Sequence, residues 1–267
     1  MGYFEENLRS GYYFFGIVIA TAYISQVWHH IDSHKRNRCK GKILALIDYT
    51  GIDGDEYHKI RHQELFNNPA LIDAWGQFAH LTYFPNIQTG ERLLEVGCGL
   101  GNNLVNVRKM VETYATEPAP AARDFAKTLG INAVPSVDDL PVGLQFHYIL
   151  LRHVLEHVPE PHAFLHDLHG RLLPGGKIIL VLPTESPFSP ADPGDLNHHL
   201  YCWNRQTISN LLADTNYTAI ETRLSWHNGR RILLPLYKKL GAKSYQRAIQ
   251  LFGKITKTSE IIAVATL

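Results

Sequence analysis

Apolar residues along this chain follow two alternating spacings. Short apolar runs recur between residues 92 and 267, and in the intervals apolar positions repeat every three or four residues, as in amphipathic helices. Seven strands are predicted, the first ending near Glu95, the fifth at Pro183, and the others over residues 112–115, 131–135, 145–151, 217–224 and 260–267. Because strands alternate with helices, the pattern predicts an α/β fold with a doubly wound, seven-stranded, mostly parallel sheet.

The clearest helical pattern covers residues 69–83, where six apolar residues share one face and Pro69 suits the first turn. Other helices are predicted over 103–110, from 119, from 161 to 173, and over 204–215, 229–240 and 244–255. Residues 51–66 lack this spacing and are predicted to be an irregular, solvated segment. The Asp53 and Asp55 pair in it lacks the remaining ligands of a calcium loop.

Residues 12–28 are almost continuously apolar, which leaves two alternatives open. A run of about 17 residues is at the lower limit for crossing a bilayer, so it is either a helix packed on the domain or on a second subunit, or a membrane anchor or interfacial helix. Glu5 and Glu6 precede the run, which argues against a secretory signal peptide. Basic residues at 35–42 would hold the following domain in the cytoplasm, at the inner face of a membrane if the run is an anchor.

Length and charge restrict the architecture and the partners. The chain is predicted to comprise an apolar segment with a basic linker (1–42), a helical cap (43–88) and one α/β domain (89–267). A formal net charge of +1 argues against a general nucleic-acid surface. Three scattered cysteines are too few for a disulfide framework or a cysteine-based zinc site, which indicates a reducing compartment.

The most informative segment is RLLEVGCGLGNN, residues 92–103. Gly97 and Gly99 permit backbone angles closed to other residues and let a ligand approach the main chain, while Gly101 lets the next helix pack closely. Glu95, two residues before the first glycine, would repel a pyrophosphate and attract a ligand that carries an ammonium group and a sulfonium. The segment resembles motif I of the class I S-adenosylmethionine-dependent methyltransferases.

Later segments extend this resemblance. LEHVPEP at 155–161 followed by LLPGG at 172–176 is similar to a paired motif of that family, and HHLYCW at 198–203 resembles its HHLxxF stretch. The resemblance implies a Rossmann-like methyltransferase fold in which the last hairpin supplies one antiparallel strand. It also implies S-adenosylmethionine as cofactor, with contacts from Glu95, Gly97, Cys98, Gly99, Gly101, Asn102, Glu117, Pro118, Ser136, Val137, Asp138 and Arg152.

Glu117 follows the glycines by about 20 residues, where a carboxylate accepts hydrogen bonds from both ribose hydroxyls of an adenosine. The alternative is that Glu117 only caps the helix that begins near Ala119. Many relatives contact the adenine amine through an acid after the third strand. Ser136 occupies the best-matching position here, with Asp138 nearby as a substitute.

Transfer to a hydroxyl benefits from a base, and His153, His198 and His199 are the candidates. The pattern His153-x-x-Glu156-His157 also matches an inverted zinc-protease motif. Because it follows a parallel strand and is itself followed by prolines, a protease zinc site is disfavoured. A resemblance to the ubiquinone-pathway O-methyltransferases leaves open an ion that is bound by His153, Glu156 and His157 and orients the acceptor. Their pattern has an acid where this chain has His153, and no metal site is predicted.

The sequence therefore predicts an S-adenosylmethionine-dependent methyltransferase that acts on an oxygen of a small-molecule, sugar or lipid-linked acceptor. No nucleic-acid partner is expected, and a homodimer is left open. Two alternatives remain: a non-catalytic scaffold that binds the cofactor, and an NAD-dependent oxidoreductase. Binding of S-adenosylhomocysteine would indicate the methyltransferase, and binding of NAD would indicate the oxidoreductase. A turnover assay distinguishes an enzyme from a scaffold.

Overall fold

A computed structural model describes residues 52–186, 188–192 and 195–267. Its described residues before Pro190 and from Asn197 onward belong to one compact unit, and Pro190–Leu196 belongs to a second. The apolar run 12–28 and the 42/43 boundary lie outside the described residues, and the division at 88/89 stays a prediction. Within the described ranges, no helix is both long and apolar enough to cross a bilayer.

Seven strands form one sheet in the order β3-β2-β1-β4-β5-β7-β6. They are β1 (Arg92–Val96), β2 (Glu112–Thr116), β3 (Ala133–Val134), β4 (Phe146–Arg152), β5 (Leu172–Pro183), β6 (Thr218–Trp226) and β7 (Ser259–Thr266). The first five are mutually parallel, and β7 runs antiparallel to both β5 and β6. The predicted doubly wound, mostly parallel sheet with one antiparallel strand is confirmed.

The sheet is covered on both faces, which explains why its central strands are continuously apolar. Successive residues of a strand point to opposite faces, and they divide between two buried clusters. Leu94, Ile149 and Ile178 belong to one cluster, whereas Leu93 and Leu150 belong to the other. Strand order reverses between β1 and β4, the position at which open α/β sheets bind ligands beyond the carboxyl ends of their strands.

The helices are α1 (Ile52–Arg61), α2 (Gln63–Phe66), α3 (Pro69–Tyr83), α4 (Pro120–Thr128), α5 (Pro161–Asp167), α6 (Arg205–Asp214) and α7 (Leu234–Thr256). Helix α3 has the predicted bounds, with Pro69 in its first turn and the Asn68 side chain accepting a hydrogen bond from the Leu71 amide. Its predicted apolar face is buried. Helix α7 covers the helices predicted over 229–240 and 244–255, except that it begins at Leu234, and its backbone is non-helical at Gly241, between the two predicted segments.

Two sequence predictions are wrong. Residues 103–110 form no α-helix and contain only a 3₁₀ turn at Val107–Lys109. Asparagine side chains that bond elsewhere compete with helix formation: Asn103 donates to Glu95, and Asn106 donates to the Asp73 carbonyl. Conversely, residues 51–66 are not irregular throughout, because α1 and α2 form there and the Asp55 carboxylate accepts a hydrogen bond from the Ala121 amide at the start of α4.

Candidate active site

A cavity of about 410 Å³ lies where β1, β2, β3 and β4 end, with α1 against it. Pockets of roughly 300–1,000 Å³ hold small molecules and cofactors in other proteins. Ten of the residues that the sequence assigned to the site line this cavity: Gly97, Cys98, Gly99, Asn102, Glu117, Pro118, Ser136, Val137, Arg152 and His153. Five do not line it: Glu95, Gly101, Asp138, His198 and His199.

The turn after β1 forms one wall of the cavity. Gly97 has φ +69°, and a Cβ there would lie 2.5 Å from Cγ2 of Val154, so both the backbone and the neighbouring loop require glycine. Gly101 has φ +78°, and its Cβ would meet Ile131 and Ala126 at 3.1 and 3.2 Å. Gly101 therefore allows close packing against the segment around the end of α4, not against a helix that follows the turn.

Replacing Gly97 with alanine should lower the free energy of unfolding by about 2 to 4 kcal/mol, since left-handed backbone strain and overpacking add. Urea denaturation measures the loss. The double variant Gly97→Ala/Val154→Ala removes the overlapping methyl group, and it should recover part of the loss relative to Val154→Ala alone. Unfolding of the single variant at the wild-type urea concentration would contradict this account.

Glu117 directly follows β2 and is buried, with 4% of the residue exposed. One oxygen accepts from the Gly99 amide at 2.8 Å and the other accepts from the Ala119 amide at 2.9 Å. Glu117 thus braces the glycine turn and caps α4, as the alternative reading of the sequence suggested, while it also lines the cavity. A carboxylate has about four acceptor positions, so these two bonds leave capacity for ligand hydroxyls.

Glu95 is fully buried beneath the cavity wall. Oε1 accepts a 2.6 Å hydrogen bond from Asn103 Nδ2, whereas Oε2 has no hydrogen-bond partner. Burial raises the pKa of Glu95 to about 8. Asn103, which lines the cavity, stands between Glu95 and the cavity interior.

The turn after β3 presents Ser136 and Val137 to the cavity. The Ser136 hydroxyl and amide both bond to the Asp139 carboxylate, at 2.7 and 2.9 Å, which closes a capping box around the 3₁₀ turn Val137–Asp139. Asp138 is exposed and does not line the cavity. The sequence therefore predicted the turn, but not that Asp139 closes the turn on Ser136 or that Asp138 lies outside the cavity.

Behind the cavity, Arg152 belongs to a buried charged network that the sequence did not suggest. Its Nε donates to the Tyr83 hydroxyl at 3.0 Å, and its Nη2 lies 3.3 Å from Glu260 Oε2. Tyr83 donates to the other Glu260 oxygen at 2.7 Å. Burial alone would raise the pKa of Glu260, but the charge of Arg152 and the contact with His153 outweigh it and hold that pKa well below its ordinary value.

Of the three candidate bases, His153 lines the cavity. Its Nε2 lies 3.5 Å from Glu260 Oε2, and burial together with the charge of Arg152 lowers its pKa to about 4. His198 and His199 do not line the cavity, but His157 does, and burial lowers the pKa of His157 to about 4 as well. His153 and His157 are therefore neutral at pH 7.

Helix α1 contributes residues that sequence reasoning missed, because its polar residues lack helical spacing. Tyr57 and His58 of α1 line the cavity together with His62, which directly follows the helix. His58 Nε2 lies 3.5 Å from Glu117 Oε1. The imidazole rings of His58 and His62 stack with centroids 5.5 Å apart. Burial lowers the pKa of His62 to about 3, so the His62 ring is neutral at pH 7. Together the two rings form an aromatic surface beside Glu117.

Comparisons with known proteins agree with this geometry. A family model described as "Methyltransferase domain" matches residues 61–222. The ubiquinone biosynthesis O-methyltransferase of Xanthomonas oryzae pv. oryzae is 31% identical over 108 residues, which are 37% of this chain and 45% of that protein. The norajmaline N-methyltransferase of Rauvolfia serpentina is 26% identical over 133 residues, 45% of each chain. The chain thus spans less than half the length of these curated relatives.

The fold also occurs in solved structures. Phosphoethanolamine N-methyltransferase 2 of Haemonchus contortus, in complex with phosphomonomethylethanolamine and S-adenosylhomocysteine, superposes with a TM-score of 0.54 at 12% identity, covering 85% of this chain and 61% of that chain. At this level of identity the likeness establishes a shared fold. The cavity at the ends of β1 to β4 is therefore set in a sheet that other proteins use for methyl transfer.

Proposed function

Since this chain belongs to the methyltransferase-domain family, we propose that it is an S-adenosylmethionine-dependent enzyme that methylates a small-molecule acceptor. The observation that carries the proposal is the cavity formed by the glycine turn after β1 with the buried carboxylate of Glu117 on its wall. An aromatic surface beside a carboxylate that has spare acceptor positions suits an adenosine ribose. The relatives named above act on small molecules by their names, which supports that acceptor class.

The residues present fit the cofactor. Glu117 retains acceptor positions for two ribose hydroxyls, and the turn around Ser136 and Val137 lines the part of the cavity where the family places the adenine. The unpartnered Oε2 of Glu95 is a buried polar atom that an ammonium group nearby would stabilise. When bound, S-adenosylmethionine supplies a methyl group on a good leaving group, so the protein's main tasks are alignment and exclusion of water.

Oxygen is the proposed acceptor atom. His153 lines the cavity and is neutral at pH 7, so it can accept a proton from a hydroxyl. Glu260, 3.5 Å from Nε2, favours the resulting imidazolium, whereas burial and the charge of Arg152 oppose it and keep the pKa of His153 at about 4. His157 shares the cavity and is the second candidate, one that the sequence analysis did not include as a base. A sugar or a lipid-linked alcohol falls within the same chemistry, and the membrane and homodimer proposals stay predictions.

The direct test uses the purified full chain with isotopically labelled S-adenosylmethionine and an extract of the source cells, followed by separation of lipid, small-molecule and macromolecular fractions. Label in the small-molecule or lipid fraction supports the proposal and defines the acceptor class. Binding of S-adenosylhomocysteine without label in any fraction would favour the scaffold. Stabilisation by NAD and none by S-adenosylhomocysteine would favour the oxidoreductase.

Cofactor binding should release a proton at neutral pH. In the ligand-free protein the pKa of Glu95 is about 8, so the carboxyl is mostly protonated at pH 7, and a nearby ammonium group favours the ionised form. Calorimetric titration with S-adenosylhomocysteine in buffers of different ionisation enthalpy should report release of up to one proton per chain. The release should disappear in Glu95→Gln, and identical heats in all buffers for the wild type would contradict the expectation.

The same raised pKa determines how Glu95 affects stability. The folded chain holds this proton up to about pH 8, whereas the unfolded chain loses it near the ordinary value of 4.5. Between these two pH values the native state binds more protons than the unfolded state, so the contribution of Glu95 to the free energy of unfolding falls as the pH rises. The variant Glu95→Gln should lack this decline.

A further inference from the structure

Arg230, in the loop between β6 and α7, is a cation without a counter-charge of its own. Its Nε and Nη2 atoms are buried, and neither has a hydrogen-bond partner among the described residues. Glu260 is the carboxylate whose charge acts on Arg230, but Tyr83 and Arg152 already donate to both oxygens of Glu260. Burial of an unpaired charge is costly, so these N–H groups call for an anion.

The guanidinium of Arg230 is stacked on two aromatic rings of α3. Its Cζ lies 4.1 Å from the ring centroid of Trp75 and 4.9 Å from that of Phe78. Aromatic faces stabilise a cation through its charge and do not use its N–H donors. The stack therefore orients the guanidinium and leaves its donors available. The planar fork of an arginine matches the two oxygens of a carboxylate or a phosphate.

The backbone around Arg230 is fixed by contacts with α7 and with the turn before β7. The Tyr245 hydroxyl donates to the Arg230 carbonyl at 2.8 Å. The His227 amide, three positions earlier, donates to the Thr258 carbonyl at 3.1 Å. The position of this arginine is therefore set before any ligand binds, which reduces the entropic cost of binding.

Sheet topology brings this loop to the edge where the cavity lies. Strand β7 is antiparallel, so Glu260 near its start pairs with Pro183 at the end of β5 and with Ser225 near the end of β6. The loop after β6 therefore leaves the sheet at the edge where β1 to β4 also end. Strand order places this loop on the β5-β7-β6 side, whereas Glu117 follows β2 on the opposite side of β1 and β4.

Arg230 borders the cavity through Trp75. The Trp75 ring lines the cavity, as do Arg152 and His153, and Arg152 Cζ lies 5.6 Å from the same ring. The side chains of His153 and His227 are 33% and 16% exposed, so the network reaches solvent here. Burial lowers the pKa of each of these histidines to about 4, and both are neutral at pH 7. Two arginines and one carboxylate leave a net positive charge at this end of the cavity.

We propose that the methyl acceptor carries an anionic group, a carboxylate or a phosphate, that binds to Arg230 beside Trp75. This inference rests on the proposed function and deepens it, because it names the class of acceptor. The anion supplies the counter-charge that the guanidinium lacks and accepts hydrogen bonds from its N–H groups. It anchors the acceptor and is not itself methylated, so the product retains the negative charge.

The first measurement needs no turnover. The full chain is titrated with inorganic phosphate and with benzoate at constant ionic strength, with and without S-adenosylhomocysteine. The rise in unfolding temperature with anion concentration gives the affinity, because a ligand of the native state stabilises that state. At least one of the two anions should bind, and Arg230→Met should bind it about 10-fold or more weakly, since a charge-assisted pair is lost.

The neighbouring Arg231 is exposed and provides the matched control. Arg231→Met removes the same charge and should bind the anion like the wild type. Without ligand, Arg230→Met should unfold at the same urea concentration as the wild type or at a higher one, because it removes a buried charge that has no counter-charge. A large loss of stability with unchanged anion binding would assign Arg230 a structural role and overturn the anion site.

The labelled product from the cell extract distinguishes the two sources of the anion. It should be retained by an anion-exchange resin at pH 7. Loss of retention after phosphatase treatment indicates a phosphate monoester, and resistance indicates a carboxylate. A labelled product without charge, or equal anion binding by wild type and Arg230→Met, would overturn the inference and leave methyl transfer intact. Anion binding that depends on Arg230, without label in any fraction, would support the anion site and contradict the proposed function alone.

Discussion

Glu117→Ala weakens binding of S-adenosylhomocysteine by about 100-fold and abolishes measurable methyl transfer; this is the first of the two largest effects that we expect. Hydrogen bonds to a charged group contribute about 1.5 to 3 kcal/mol each, so loss of two ribose contacts corresponds to about 3 kcal/mol or more. Isothermal titration calorimetry measures the affinity, and transfer of a labelled methyl group measures turnover.

A structural effect of Glu117→Ala has to be separated from a binding effect, because the carboxylate also holds the Gly99 and Ala119 amides. Glu117→Gln keeps one carbonyl oxygen and should preserve most of the stability while still losing affinity. Glu112, exposed at the other end of β2, is the matched control. If Glu112→Ala and Glu117→Gln bound the ligand equally well, Glu117 would be a helix cap without a role in the cofactor site.

Glu260→Gln is expected to destabilise the protein by about 3 to 5 kcal/mol at pH 7, because it leaves Arg152 buried without its counter-charge. Glu260 is fully buried on β7, and its carboxylate receives Tyr83 on one oxygen and Arg152 on the other. Urea denaturation at pH 7 measures the loss. Glu221→Gln, on the exposed surface of the neighbouring strand β6, is the control and should change stability little.

The pH dependence identifies charge as the cause. The pKa of Glu260 lies well below 4.5 in the folded protein. An acid with a depressed pKa stabilises the native state fully above its unfolded pKa, and that contribution is lost as the pH falls toward the folded value. The difference in unfolding free energy between wild type and Glu260→Gln should therefore be constant from pH 5 to 7 and should shrink below about pH 4.5. A difference that did not change with pH would indicate a packing defect instead.

Local sequence patterns were sufficient to predict most strands of the sheet and the residues on one side of the cavity. The apolar runs of β1, β4 and β5 are long enough and regular enough to identify buried parallel strands. The glycine turn was recognisable because Gly97 and Gly101 hold backbone angles that few other residues adopt. The secondary-structure predictions were wrong where side-chain hydrogen bonds outweigh local helix propensity. The two cases are the asparagines after the glycine turn and the polar helix α1.

The sequence by itself determined the class of fold and the position of the cavity at the ends of the strands, because both follow from residues that are neighbours along the chain. The cofactor class followed from the resemblance of such local segments to a known family. Only the tertiary structure decided which distant groups meet. Tyr83 and Glu260 are 177 positions apart and Arg152 and Glu260 are 108 apart, yet they share one buried network. Likewise, His199 lies beside Glu156 because the Leu200 and Tyr201 amides donate to the Glu156 carbonyl. Such pairings depend on strand order and loop path, which hydrophobic spacing does not encode.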